Sequence, residues 1–149
     1  MSGPAGPSIH ASAVLVGSHA LLIRGPAGSG KSSLSFALLG ASRSAQIAFS
    51  RLVADDRTLL EVAHGRLLAR PVPNLAGLLE IRGLGIRRLP YEPVAVVSHV
   101  VDLAAADAAR LPENHKTAVC GIMLPRIAVS STADPLVLVL AALLTATAD

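Results

Sequence analysis

Gly25-Pro26-Ala27-Gly28-Ser29-Gly30-Lys31-Ser32-Ser33 is the stretch on which the fold turns. Its first eight residues form a complete G-x-x-x-x-G-K-S phosphate loop, preceded by an apolar run and followed by residues at helical spacing. Glycines let such a loop fold tightly, so that successive backbone N–H groups converge on one phosphate. The N-terminus of the next helix adds the positive end of its dipole. Lys31 then reaches the β- and γ-phosphates, and the Ser32 hydroxyl ligates Mg²⁺. Of the thirteen Lys and Arg residues only Lys31 and Lys116 are lysines, and one of them falls where the loop requires it. ATP and Mg²⁺ are therefore the expected cofactors, with Gly25 to Ser33 as the binding segment.

Outward from the loop, the chain reads as a mixed α/β domain. Ala13 to Val16 and His19 to Arg24 are apolar runs around Gly17-Ser18, a hairpin leading into the loop. Ser32 to Leu39 carries helical periodicity and is closed by Gly40. Arg51 to Ala54 reads as a short strand, and Thr58 to Ala63 with Arg66 to Ala69 as a second hairpin around His64-Gly65. Leu75 to Ile81 is apolar and is followed by the loop Gly83-Leu84-Gly85. Val94 to Val101 predicts a strand, Ala104 to Arg110 a short helix, and Ile122 to Val129 a further strand. Asp134-Pro135 opens a helix over 133–148 as a cap with proline at the first helical position. So many hairpins predict a mixed sheet, not a doubly wound parallel one.

Composition narrows the function. With 149 residues the chain suits one domain, read as residues 9–149 behind a flexible lead-in over 1–8. Two Phe, one Tyr and no Trp require an aliphatic core and leave no platform for stacking bases. The basic residues are scattered, with Arg87-Arg88 the one adjacent pair, so no stripe fits a nucleic-acid backbone. The longest apolar run, Leu136 to Leu144, is far short of the roughly 20 residues that span a bilayer. The run is apolar nearly all round, which predicts a helix that is buried or packed on another subunit. Neither a secretory signal nor a disulfide is expected, since Cys120 stands alone and reads as a small buried residue. These features place the protein in the cytoplasm.

Three further blocks carry a resemblance. Ile9-His10-Ala11, Arg51-Leu-Val-Ala-Asp55-Asp56 and Leu79-Glu80-Ile-Arg82-Gly83-Leu-Gly85-Ile86 are similar to signature blocks of the HPr kinase/phosphorylase family, in the right order. Members of that family phosphorylate a serine of the phosphocarrier protein HPr. The resemblance covers residues 9 to about 111 and corresponds to the catalytic domain alone. It implies a fold like the phosphate-loop core of phosphoenolpyruvate carboxykinase, and a homo-oligomer, hexameric in the family. It also implies roles: His10 beside the transferring phosphoryl group, and Asp56 as the base that takes the serine proton. Asp55 would orient the site, Glu80 would join Ser32 as a Mg²⁺ ligand, and Arg110 would neutralise charge on the transferred group.

In one place the sequence departs from the family. Where members carry a Pro-Val-Arg-Pro-Gly-Arg-Asn block tied to phosphorolysis, this chain has Leu124-Pro125-Arg126-Ile-Ala-Val-Ser, with Arg126 alone in common. The expectation is thus a protein serine kinase acting on HPr or its nitrogen-branch relative, with phosphorylase activity in doubt. The rival readings are a nucleotide-binding regulatory module without phosphoryl transfer, and a small-molecule kinase.

Overall fold

The protein is described by a computed structural model covering residues 7–109 and 115–148. Eleven strands and two α-helices follow in order: β1 (Ser8–Ile9), β2 (Ala11–Val16), β3 (His19–Arg24), α1 (Lys31–Arg43), β4 (Ser50–Ala54), β5 (Thr58–Ala63), β6 (Arg66–Pro71), β7 (Leu78–Ile81), β8 (Gly85–Arg88), β9 (Ala95–Asp102), β10 (Lys116–Val119), β11 (Ile122–Ala128) and α2 (Pro135–Leu144). A 3-10 turn at Pro73–Leu75 lies between β6 and β7.

One large sheet runs β1-β5-β6-β9-β3-β2-β4, and β11 lies on β9 and carries β10. It is mixed, as the hairpin pattern predicts. The ladders β3–β9 and β9–β11 are parallel, while β2–β3, β2–β4, β5–β6 and β6–β9 are antiparallel. β7 and β8 pair apart from the rest as a hairpin.

Two cores follow from the two faces of this sheet. Alternation along β2 sends Val14 to one face, where it packs with Leu21 and Ile23 of β3, Leu34 and Leu38 of α1, and Val139 of α2. Ala13 and Leu15 go to the other face and join Leu22, Leu60, Leu67, Val97 and Leu124 where the sheet curls over itself. Coverage on both sides explains why five of the six residues of β2 are buried. The core is aliphatic, as the composition requires, and both Phe36 and Phe49 are exposed.

Several local expectations are corrected. α1 runs through Gly40 to Arg43, because Ala41 extends the buried stripe of Leu34 and Leu38 by another turn. α2 keeps the expected cap, with Asp134 accepting from the Leu136 N–H at 3.0 Å, but spans only Pro135–Leu144. Of its residues only Val139 is buried, so the expectation of a buried helix fails within the single chain. Gly83-Leu84-Gly85 is not an open loop: Arg82 to Leu84 form the turn of the β7–β8 hairpin and Gly85 opens β8 opposite Ile81. The described residues of the expected helix at 104–110 form turns: Ala104 has φ +51°, and the Ala105 N–H is taken by the Val129 carbonyl at 2.9 Å. Cys120 is exposed, since it occupies the tight turn between β10 and β11 with φ +51°. Ser8 and Ile9 pair with Leu59 and Thr58, so the chain is already part of the sheet there.

Candidate functional site

The phosphate loop leaves β3 at Arg24 and enters α1 at Lys31, as the motif predicts. Gly30 is the N-cap and has φ +101°, a left-handed conformation that a Cβ would oppose. No side chain caps this end, and the first turn has no acidic residue, so the amides and dipole of α1 are available to an anion. Lys31 is buried, and its ammonium donates to the carbonyls of Gly25 at 2.9 Å and Pro26 at 3.3 Å. Those bonds hold the side chain back along its own loop, next to where the motif puts the phosphates.

Asp55 and Asp56 follow β4 in a bend, just beyond the strand. There the chain turns sharply: Asp56 has φ +63°, and the Arg57 N–H bonds the Asp55 carbonyl at 2.7 Å. Asp55 is the hub of the site. Its carboxylate accepts from the Ser32 hydroxyl at 2.8 and 3.0 Å, from the Ser12 hydroxyl at 2.9 Å and from the Glu80 N–H at 3.2 Å. Ser12, fully buried, in turn accepts the Asp56 N–H at 3.1 Å. One buried serine therefore fixes both aspartates. The orienting role expected of Asp55 has this geometric counterpart on the phosphate-loop serine.

Beside this hub opens a cleft of about 710 Å³. Ala27, Gly28, Gly30, Lys31, Ser32 and Ser33 form one wall, and Asp56, Glu80, Arg82, Gly83 and Gly85 face them. The cleft thus gathers Lys31, Ser32, Asp56 and Glu80 of the expected site. Pro26 and Ser29 line a second cleft on the other side of the loop, and Gly25 lines neither. His10 stands outside the cleft wall in the bend before β2: Nδ1 is 4.0 Å from the Asp56 carboxylate and Nε2 is 3.0 Å from the Arg57 guanidinium. Arg110 lies outside the described residues.

The donor set suits Mg²⁺. Ser32, Asp55 and Glu80 offer hard oxygens, and no cluster of three or more His, Cys, Asp or Glu residues forms a closed cage among the described residues. Mg²⁺ is commonly held by one or two carboxylates together with phosphates and water, which is what this arrangement leaves room for.

A second carboxylate cluster went unread in the sequence. Asp102, at the end of β9, takes two bonds from Arg24, at 2.7 and 2.8 Å, and one from Arg126 at 2.5 Å. Arg126 grips Asp107 through its other two nitrogens at 2.8 and 3.0 Å. Burial alone would raise the Asp102 carboxyl, but the two guanidinium groups outweigh it and hold it below the ordinary carboxylate value. Arg126, the residue shared with the phosphorolysis block, is thereby committed within the fold. Ser12 was also missed. Its signal was a hydroxyl inside the otherwise apolar run Ala11 to Val16.

A glycine-rich loop thus joins strand to helix, with the Asp55 carboxylate on its serine. In fold the chain is similar to the HPr(Ser) kinase/phosphatase from Coxiella burnetii. The two match with a TM-score of 0.76 and 24% sequence identity, over 92% of this chain and 93% of the other. The likeness shows the fold, and bears out the resemblance read from the signature blocks at that level. No protein-family model matches the sequence, and no curated protein is matched by it.

Proposed function

We propose that the chain is an ATP- and Mg²⁺-dependent protein serine kinase acting on HPr or its nitrogen-branch relative. The observation that carries this reading is one cleft presenting Lys31, Ser32, Asp56 and Glu80 together, in a fold shared with an HPr(Ser) kinase/phosphatase. Lys31 and the amides at the start of α1 bind the nucleotide phosphates. Ser32 and Glu80 hold the metal, and Asp55 orients Ser32 through its paired hydrogen bonds. Mg²⁺ supplies charge neutralisation at the phosphate oxygens when bound.

Asp56, exposed on the cleft wall, accepts the proton of the incoming serine hydroxyl. The serine oxygen bonds to the γ-phosphorus, the bond to the β-phosphate oxygen breaks, and ADP leaves with that electron pair. His10, 4.0 Å from Asp56, stands beside the transferring phosphoryl group, and Arg110 serves that group as in the resembling family. Commitment of Arg126 to Asp102 and Asp107 supports a kinase with little phosphorylase activity. Apolar Val137, Leu138 and Leu144, exposed on α2, support assembly into a homo-oligomer, a hexamer by the same likeness. No described helix is long and apolar enough to cross a membrane, which accords with a cytoplasmic partner.

The test is the intact mass of purified HPr after incubation with the protein, ATP and Mg²⁺. The expected result is a gain of one phosphoryl group that disappears with Lys31→Ala. An unchanged mass under conditions where ATP binding is independently measured would reject the kinase reading in favour of a regulatory nucleotide sensor.

A further inference from the structure

Arg87-Arg88, the adjacent basic pair of the sequence, takes no part in the proposed transfer and sits on β8. β7 lies against α1, and its Leu79 is fully buried, whereas all four residues of β8 are exposed. Among the described residues neither arginine forms an ion pair, and β8 pairs with β7 alone.

The register of the hairpin decides which backbone groups β8 leaves over. The Leu89 N–H bonds the Gly77 carbonyl at 2.7 Å, which makes Gly77–Leu89 a hydrogen-bonded pair. Such pairs alternate along an antiparallel ladder, so Leu79–Arg87 is hydrogen-bonded while Leu78–Arg88 and Glu80–Ile86 are not. The Glu80 N–H agrees, since it turns away from β8 and donates to the Asp55 carboxylate at 3.2 Å. The N–H and C=O groups of Ile86 and Arg88 therefore point away from β7, along an edge that no other described strand covers. An edge of this kind is a template for another strand.

Side chains decide which strand it suits. Paired residues share a face of the ladder, and Glu80 lines the cleft beside Asp56. Its partner Ile86, 70% exposed, stands on that same face with Arg88, and Arg87 points to the other. A strand added to β8 thus meets an aliphatic side chain and then two cations, one on each face. Opposite charges and apolar pairs stabilise a ladder, and like charges weaken it. Two copies of β8 paired edge to edge would crowd four arginines onto one four-residue ladder, which opposes self-pairing.

We infer that β8 is a docking edge for an extended segment of a partner protein, one carrying two adjacent acidic residues beside an aliphatic one. Main-chain bonds to Ile86 and Arg88 hold the segment, and the three side chains select it. The added strand lies about 4.8 Å beyond β8. Leu84 and Gly85 line the cleft while Ile86, Arg87 and Arg88 do not, so the partner is tethered beside the mouth without entering it. This goes beyond the kinase reading and holds whichever hydroxyl receives the phosphoryl group.

The test is fluorescence anisotropy of a labelled, capped peptide of about eight residues, within the usual length of a strand, with Glu-Glu-Val at its centre. The full chain is expected to bind it, and the double variant Arg87→Glu/Arg88→Glu to bind it at least about 10-fold more weakly. A Lys-Lys-Val peptide should show the opposite preference, which also demonstrates that the variant is folded. Two further peptides, N-methylated on alternate residues, separate strand addition from simple charge attraction. One of them should lose binding and the other keep it, because only alternate N–H groups of a strand face its neighbour. No binding of Glu-Glu-Val by the unaltered protein would overturn the docking edge. Affinity within about threefold in the double variant, or equal binding of the two methylated peptides, would do the same. Sedimentation showing dimers that Ile86→Asp separates would place a second copy on the edge and overturn the partner.

Discussion

Asp55 and Asp102 both stand where a strand of the central sheet ends, on opposite sides of the phosphate loop, yet they are held in different ways. Asp55 is held by two serine hydroxyls and one amide, all neutral donors. Asp102 is held by two guanidinium groups. Neutral hydrogen bonds contribute about 1 kcal/mol each, whereas charge-assisted ones are roughly twice as strong. A carboxylate in the first setting can trade a partner for a metal or a water during a reaction. One in the second cannot do so without stranding two partly buried cations. The first arrangement suits a group that must exchange partners, and the second suits one that fixes the strand ends.

The comparison breaks most visibly if the exposed partner of Asp55 is neutralised. Asp56→Asn is expected to slow phosphoryl transfer by about 10²–10⁴-fold, the span of general-base catalysis, while ATP affinity changes by less than about threefold. Single-turnover transfer to HPr and calorimetric ATP binding read the two quantities separately. Equal losses in both would place Asp56 in binding, and its role as base would fall.

Neutralising the other carboxylate should do the reverse. Asp102→Asn leaves Arg24 and Arg126 facing each other without their anion, and is expected to cost roughly 2–4 kcal/mol of folding stability. Because the folded pKa of Asp102 is depressed, its contribution is complete above its ordinary value of 3.8. It is lost as pH falls through the lower value held in the folded protein. Urea melts of Asp102→Asn and the unaltered protein should therefore differ by a constant amount from neutral pH down to about pH 5, begin to approach each other only below about pH 4, and meet below the lower folded value. A gap that persists at low pH would mean that shape, not charge, is what Asp102 contributes.

A smaller effect separates the two functions inside the Asp55 cluster. Ser12→Ala removes the fully buried hydroxyl that links Asp55 to the Asp56 amide. Loss of such an outer partner is expected to weaken Mg²⁺ binding by about 10–100-fold. Stability should fall by about 1–3 kcal/mol, the cost of stranding buried polar groups. Metal titration followed by a urea melt on the same preparation checks both.

The two sides of the loop also differ in how far the sequence announces them. The phosphate loop, its hairpin and the aspartates were legible because each depends on neighbours in the chain: glycines at set positions, alternation in β2 and β3, an apolar strand ending in Asp-Asp. Ser12 touching Asp55 and Arg24 clasping Asp102 join residues 43 and 78 positions apart, and no local pattern encodes such pairs. Alanine misled for the same reason. Its helix propensity suggested a helix from Ala104, but the partner taken by the Ala105 N–H is a carbonyl after β11. His64-Gly65 was readable as a turn because glycine marks it. Cys120-Gly121 was not, since cysteine is no turn former and β10, Lys116-Thr-Ala-Val, is too short and polar to read as a strand.

That second turn supplies the smallest prediction and a baseline for the others. Val119 pairs with Ile122, and the two residues between them have φ +51° and +79°, both positive as a type I′ turn requires. Asn-Gly is the favoured pair in such a turn, because asparagine tolerates the left-handed region that cysteine resists. Cys120→Asn is therefore expected to raise stability by about 0.5 kcal/mol, since it relieves backbone strain and touches no buried contact. Neither Asp55 nor Asp102 hydrogen-bonds to Cys120, so transfer to HPr and the acid profile should both stay as they are. A measured loss of stability would mean that the Cys120 side chain packs in the assembled protein, against a surface that the single chain leaves open.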